Sequence, residues 1–228
     1  MKYVDQARQI NIKLSALYEQ YSSTYLREYV HAFDDPEPPC RINEFGIIDE
    51  ERYCMEKPVL FVAKETNNWS NDDFAKGFLF REWMKGIALE GVSGKGHVQK
   101  HPTMWYNLGR WVMAIHYPDL PVSEIAGCYK SALSEIGKIA FTNVNKVRGG
   151  SVSKDNYWQL ATSALSGELL RKEIEILSPE IVICCGTFWE FTYHVPNFSG
   201  KVIDMPHPGA RISREKMLVH LRTQLEKA

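Results

Sequence analysis

The sequence predicts a three-layer α/β/α sandwich with a central, mostly parallel four-stranded sheet and an N-terminal helical extension. Three observations carry this expectation. Four short apolar runs are bounded by turn residues, the spacers between them have helical periodicity, and the runs are continuously apolar rather than alternating. Continuous apolarity is what a strand covered on both faces requires, and such strands belong to parallel sheets sandwiched between helices. At 228 residues the chain is long enough for one sizeable core. Residues 1–228 are therefore read as one domain, with 1–44 as the helical extension and 45–228 as the α/β/α core.

Residues 4–33 open the chain as a long helix, because Val4, Ala7, Ile10, Leu14, Leu17, Tyr18, Tyr21, Tyr25 and Val30 recur at three- and four-residue steps. The stretch Asp34-Asp35-Pro36-Glu37-Pro38-Pro39 ends it, since proline cannot continue a helix and restricts its predecessor. A connector runs to about Lys57, and residues 58–63 form the first strand. Helices are expected over 78–90, 103–116 and 122–137, with Trp83, Trp105, Trp111 and Met113 on apolar faces. Residues 139–144 give the second strand, and one helix spans 156–178, stopping at Ser178-Pro179. The third strand is Ile181-Val182-Ile183-Cys184-Cys185, and the fourth, weaker one is 201–205. A last helix covers about 212–226, with the Ser213 hydroxyl as its cap.

Composition narrows the class. Hydrophobic residues make up 44% and charged residues 24%, the balance of a soluble globular protein. No apolar run approaches the ~18–20 residues of a membrane span, and the first residues are mixed polar rather than a signal core, so the cytoplasm is expected. The five cysteines are odd in number and lack a C-x-x-C pair, which points to free thiols and to no metal or cofactor. A net charge of −1 supplies no global basic field, so any grip on nucleic acid has to be local. A monomer is expected.

In open parallel sheets, ligands bind beyond the carboxyl ends of the strands. Lys64-Glu65-Thr66-Asn67-Asn68-Trp69 follows the first run, and Asn143-Val144-Asn145-Lys146-Val147-Arg148 closes the second. Gly186-Thr187-Phe188-Trp189 follows the third, and Pro206-His207-Pro208-Gly209-Ala210-Arg211 the fourth. A carboxylate, an amide, aromatics and a histidine thus converge on one rim. Each has a plain structural reading as well. Glu65 can pair with Lys64 or Lys146, Asn143 can serve a turn, and His207 can sit in a loop on a backbone partner. The glycine-rich, basic stretch 91–101 reads as a surface loop, or as a lid that contacts nucleic acid.

These four segments, in this order, resemble the motifs of the uracil-DNA glycosylase superfamily over roughly residues 45–228. Ala63-Lys64-Glu65-Thr66-Asn67 stands where the family has its first catalytic loop, and Phe141-Thr142-Asn143 resembles the strand ending in a base-reading asparagine. Residues 179–186 are similar to the P-x-x-I-V-x-x-x-G strand, and His207-Pro208-Gly209 to the H-P-S loop before the last helix. The chain carries Glu65 in place of aspartate, Thr66 in place of proline and Gly209 in place of serine.

The resemblance implies hydrolysis of the N-glycosidic bond of a damaged or deaminated base in DNA, with uracil among the candidates. Glu65 would position water and stabilise the oxocarbenium-like sugar, and His207 would donate to the base oxygen as charge develops there. Asn143 would read the base edge, and Lys64, Asn67, Trp69, Phe78, Gly186 and Arg211 would surround the substrate, an aromatic among Trp69, Phe74 and Phe78 stacking on the flipped base. Lys146 and Arg148 would hold flanking phosphates. The partner is then DNA or a small nucleobase-containing ligand. The alternatives are a non-catalytic nucleic-acid or nucleobase-binding module of the same fold, and a hydrolase of small nucleotide-like substrates.

Overall fold

Residues 2–33, 41–67, 80–92, 102–149 and 155–227 are described in the computed structural model, and they form an α/β/α arrangement whose first layer element is the N-terminal helix. The helices are α1 (Lys2–Phe33), α2 (Phe80–Glu90), α3 (Thr103–His116), α4 (Val122–Gly127), α5 (Lys130–Glu135), α6 (Asp155–Ala161), α7 (Ala164–Leu177), α8 (Phe188–His194) and α9 (Arg214–Lys227). The strands are β1 (Gly46–Ile47), β2 (Val59–Ala63), β3 (Thr66–Asn67), β4 (Ala140–Asn143), β5 (Arg148–Gly149), β6 (Ile181–Cys185) and β7 (Lys201–Met205).

The main sheet has the order β1-β4-β2-β6-β7. The four apolar runs are its strands β2, β4, β6 and β7, and all neighbouring pairs among them are parallel. The expected four strands become five, because β1 adds antiparallel to the edge at β4, with Gly46 opposite Phe141. Every residue of β2, β4 and β6 is buried, which explains their unbroken apolarity. The side chains alternate between the two helical layers. Phe61 stacks on Trp111 of α3 and its register partner Phe141 on Phe80 of α2, while Thr142, one residue on and so of opposite phase, faces Glu173 of α7.

Two expected helices are interrupted. The segment 122–137 divides at Cys128-Tyr129 into α4 and α5, followed by a 3-10 turn over Ile136–Lys138. The segment 156–178 divides at Thr162-Ser163, because the Ser163 hydroxyl accepts the Ser166 N–H at 3.1 Å and caps a new helix. Helix α7 ends at Ser178, whose φ of 45° is the left-handed turn before Pro179. At α9 the expected cap is present but long, with the Lys216 N–H 3.5 Å from the Ser213 hydroxyl.

The N-terminal helix is part of the core rather than an appendage. Leu14, Tyr18 and Tyr25 are fully or almost fully buried. The Tyr18 hydroxyl donates to Glu173, the Tyr21 hydroxyl donates to Glu168, and the Tyr25 hydroxyl lies 3.1 Å from the Ser166 hydroxyl. Asn11 locks the other end, accepting the Ile47 N–H and donating to its carbonyl, each at 2.9 Å. Three aromatic hydroxyls and one amide therefore join α1 to α7 and to β1. No described helix is long and apolar enough to cross a membrane.

Candidate functional site

The carboxyl ends of β2 and β4 lie side by side, with Ala63 opposite Asn143. The pairing continues past the strands: the Val144 N–H donates to the Ala63 carbonyl at 2.8 Å and the Asn145 N–H to the Lys64 carbonyl at 2.9 Å. Beyond them β3 and β5 form a second two-stranded parallel sheet, with Thr66 opposite Arg148. This continued zipper fixes Glu65 beside Asn145. The Asn145 amide donates to the Glu65 carboxylate at 3.4 Å, a long bond.

Glu65 is half-buried, and its pKa lies above the ordinary glutamate range. Burial is the principal cause, opposed by the Asn145 hydrogen bond and by the charge of Lys64. Asn143 and Asn145 are both buried, and the side-chain oxygen of each has no hydrogen-bond partner among the described residues. An unpaired buried acceptor costs about 1–3 kcal/mol, so two of them at the end of one strand call for a partner that the described residues do not supply. Both oxygens are acceptors, and they suit a ligand edge that presents N–H groups.

His207 leaves the end of β7 and is backed by β6. Gly186 follows β6 with φ at 73°, a left-handed conformation that favours glycine, and its N–H donates to the Met205 carbonyl at 2.7 Å. Its α-carbon faces the His207 backbone, so that a Cβ at position 186 would stand 3.5 Å from the His207 nitrogen. The loop is pinned from α3 by Asn107, which donates to the Pro208 carbonyl at 2.7 Å. The Gly209 N–H donates to Nδ1 of His207 at 3.1 Å. Nδ1 therefore carries the lone pair, and the ring proton sits on Nε2. His207 is solvent-exposed; desolvation by the atoms around its ring, and then the charge of Lys64, lower its pKa. The imidazole is held neutral, with an N–H to donate.

Lys64 connects these groups, since its charge acts on both Glu65 and His207. Its ammonium lies 5.3 Å from the ring centre of Tyr157 and 5.8 Å from that of Trp158. Glu65, Lys64, Gly186 and His207 are thus brought to one rim, with Asn143 in register behind it. Arg211 is exposed beyond the His207 loop. Asn67 and Arg148 contribute their backbones to the small sheet, and their side chains lie outside the described residues. Trp69, Phe74 and Phe78, the expected base platform, lie outside them as well, as does 93–101 of the glycine-rich loop.

Lys146 does not stand where the sequence placed it. It is fully buried, and its ammonium binds the Glu173 carboxylate at 2.8 Å, the Thr142 hydroxyl at 2.7 Å and the Asn143 carbonyl. A lysine so engaged is withdrawn from any phosphate. Its bonds tie the end of β4, at Thr142 and Asn143, to Glu173 of α7. Sequence reasoning missed Asn145 as a partner of Glu65, although the two-residue step from Asn143 was its signal. A hollow of about 410 Å³ lies between the end of β7 and α9, lined by Gly186, Met205, Pro206, Ile212, Lys216 and His220 among others. It shares only Gly186 with the group above. No protein-family model matches the chain, and no curated protein matches it.

Proposed function

We propose that the chain is a uracil-DNA glycosylase-like hydrolase that cleaves the N-glycosidic bond of a damaged or deaminated base in DNA. One observation carries the reading: a carboxyl held above its ordinary range stands beside the buried Asn145, with Asn143 two residues back in register with Ala63 and the amide oxygen of each without a partner among the described residues, at the strand ends that also bring in a neutral histidine. In the proposed chemistry Glu65, ionised, orients the attacking water and stabilises positive charge building on the sugar. Asn143 and Asn145 accept from the N–H edge of the base. His207 donates from Nε2 to the base oxygen as the leaving group becomes anionic, and a neutral donor keeps its proton there.

The test is release of base from labelled oligonucleotides carrying uracil, hypoxanthine, xanthine or a mismatched thymine. Release is expected from at least one, reduced by 100-fold or more (roughly two or more orders of magnitude, as for removal of a charge-stabilising group) in Glu65→Gln. Full activity in Glu65→Gln would remove the assigned role. A second reading, hydrolysis of a small nucleotide-like substrate at the same place, is favoured by the withdrawal of Lys146 from the surface. Turnover of free nucleosides with none of oligonucleotides selects it, and saturable binding without product selects the non-catalytic module.

A further inference from the structure

We infer that α6 and α8 present an aromatic strip that binds single-stranded nucleic acid and leads it to the Glu65 site. Trp158, Phe188, Trp189 and Tyr193 are 43%, 40%, 53% and 57% exposed. Single exposed apolar residues are ordinary, whereas a contiguous set needs a reason. Three of these, Trp158, Trp189 and Tyr193, are contiguous by ring contact, and Phe188 neighbours Trp189 in the chain. Tyr157 meets Trp158 at 5.2 Å between ring centres, Trp158 meets Trp189 at 5.7 Å, and Trp189 stacks on Tyr193 at 5.2 Å with their planes 13° apart. The scaffold beneath is fixed, because the buried Tyr157 hydroxyl donates to the buried Glu190 carboxylate at 2.8 Å and ties α6 to α8.

The ends of the strip carry cations. Lys64 lies over Tyr157 and Trp158 at one end. At the other, Arg171 donates to the His194 carbonyl, 3.1 Å away at the close of α8, while remaining exposed. Aromatic faces between two cations are the arrangement that stacks successive bases while following their phosphates. A second copy of the chain fits worse, because a two-fold contact through this strip would bring Lys64 of one copy toward Arg171 of the other. The strip is also electrostatically continuous with the candidate site, since the charge of Glu65 helps to raise the Tyr157 pKa, after burial and Glu190. Only the destination of the strand rests on the proposed function; the binding surface stands without it.

The experiment is titration of the full chain with fluorescein-labelled oligothymidylate and its duplex, read by anisotropy and by quenching of tryptophan emission at several salt concentrations. Preferential binding of the single strand is expected, weakened by salt, with Trp158→Ala and Trp189→Ala each about ten-fold weaker. Trp189→Phe should keep most of the affinity. Melting curves confirm that each variant is folded, and if Trp158→Ala is not, Tyr193→Ala at the most exposed ring takes its place. Equal affinity in wild type and the alanine variants, absence of binding, or a dimer in sedimentation that Trp189→Ala dissolves would each overturn the strip. Base release measured in parallel separates the two ideas. Binding lost in the tryptophan variants without any base release sinks the glycosylase and keeps the strip, whereas release with unchanged binding does the reverse.

Discussion

Burial lifts the carboxyl of Glu65 above the ordinary glutamate range, against the pull of Asn145 and Lys64. In the window between the ordinary and the raised value, the folded chain holds a proton that the unfolded chain has lost. Stability therefore falls as pH rises through that window, and at neutral pH the ionised carboxylate is a net burden. Glu65→Gln is expected to melt higher than wild type at pH 7, with the gap closing below the ordinary glutamate range. In the same variant the acid limb of the pH–rate profile should vanish. A lower melting temperature at pH 7 would show that Glu65 is a structural partner instead. Lys146 has the opposite dependence on its neighbour: burial depresses its pKa, and Glu173 restores part of the loss. Glu173→Gln leaves a buried ammonium uncompensated, and denaturant melts should show a loss of about 3–5 kcal/mol. Replacing both partners with apolar residues should recover much of it, and a single replacement without effect would contradict the pairing.

The helices α3 and α5 approach so closely that a Cβ at Gly109 would overlap the carbonyl oxygen of Ala132. Gly109→Ala is expected to cost about 1–3 kcal/mol or more, measured as a fall in melting temperature, because backbone rather than a flexible side chain has to yield. An unchanged melting temperature would mean that the two helices slide freely. Such a contact is invisible in sequence, where Gly109 reads only as a weak point in a helix. The strands were legible for the reverse reason. Val59–Ala63 and Ile181–Cys185 are buried on both faces, so their apolarity depends on nothing distant. The two-residue β1 has no such pattern, and it exists because the β4 edge is open to it. Helix α8 fills the connection between the third and fourth strands, where a parallel sheet calls for a helix, although Phe188-Trp189-Glu190-Phe191 by itself reads as a strand-end rim. Lys146 was misplaced because a lysine among polar residues reads as solvated until its carboxylate, 27 residues further on, is known. Of the candidate site, the strand-end positions of Glu65, Asn143 and His207 could be read from order alone, whereas the link from Asn145 to Glu65 needed the register of β2 against β4.

At the scale of the molecule, three histidines among the described residues have pKa values lowered by their surroundings. Burial, then Lys138 and Lys57, push His116 down to about 4, and desolvation is the first cause for His194 and His207. The unfolded chain protonates these rings near pH 6.5, above their folded values, so their contribution is complete above about 6.5 and is lost as pH falls through each folded value, which for His116 is about 4. Melting temperature should decline from pH 7 to pH 5, and less steeply in His116→Gln; a flat profile would refute this. The bond between Tyr18 and Glu173 has a consequence in time as well as in space. The two residues are 155 positions apart, and at about 5–20 residues per second the ribosome separates them by roughly 8 to 30 seconds. Throughout that interval Tyr18 is without its native carboxylate partner. Because Glu173 also seats Lys146, the segment with Asn143 and Asn145 gains this anchor only after α7 has emerged, which makes the candidate site one of the last features of the nascent chain to mature.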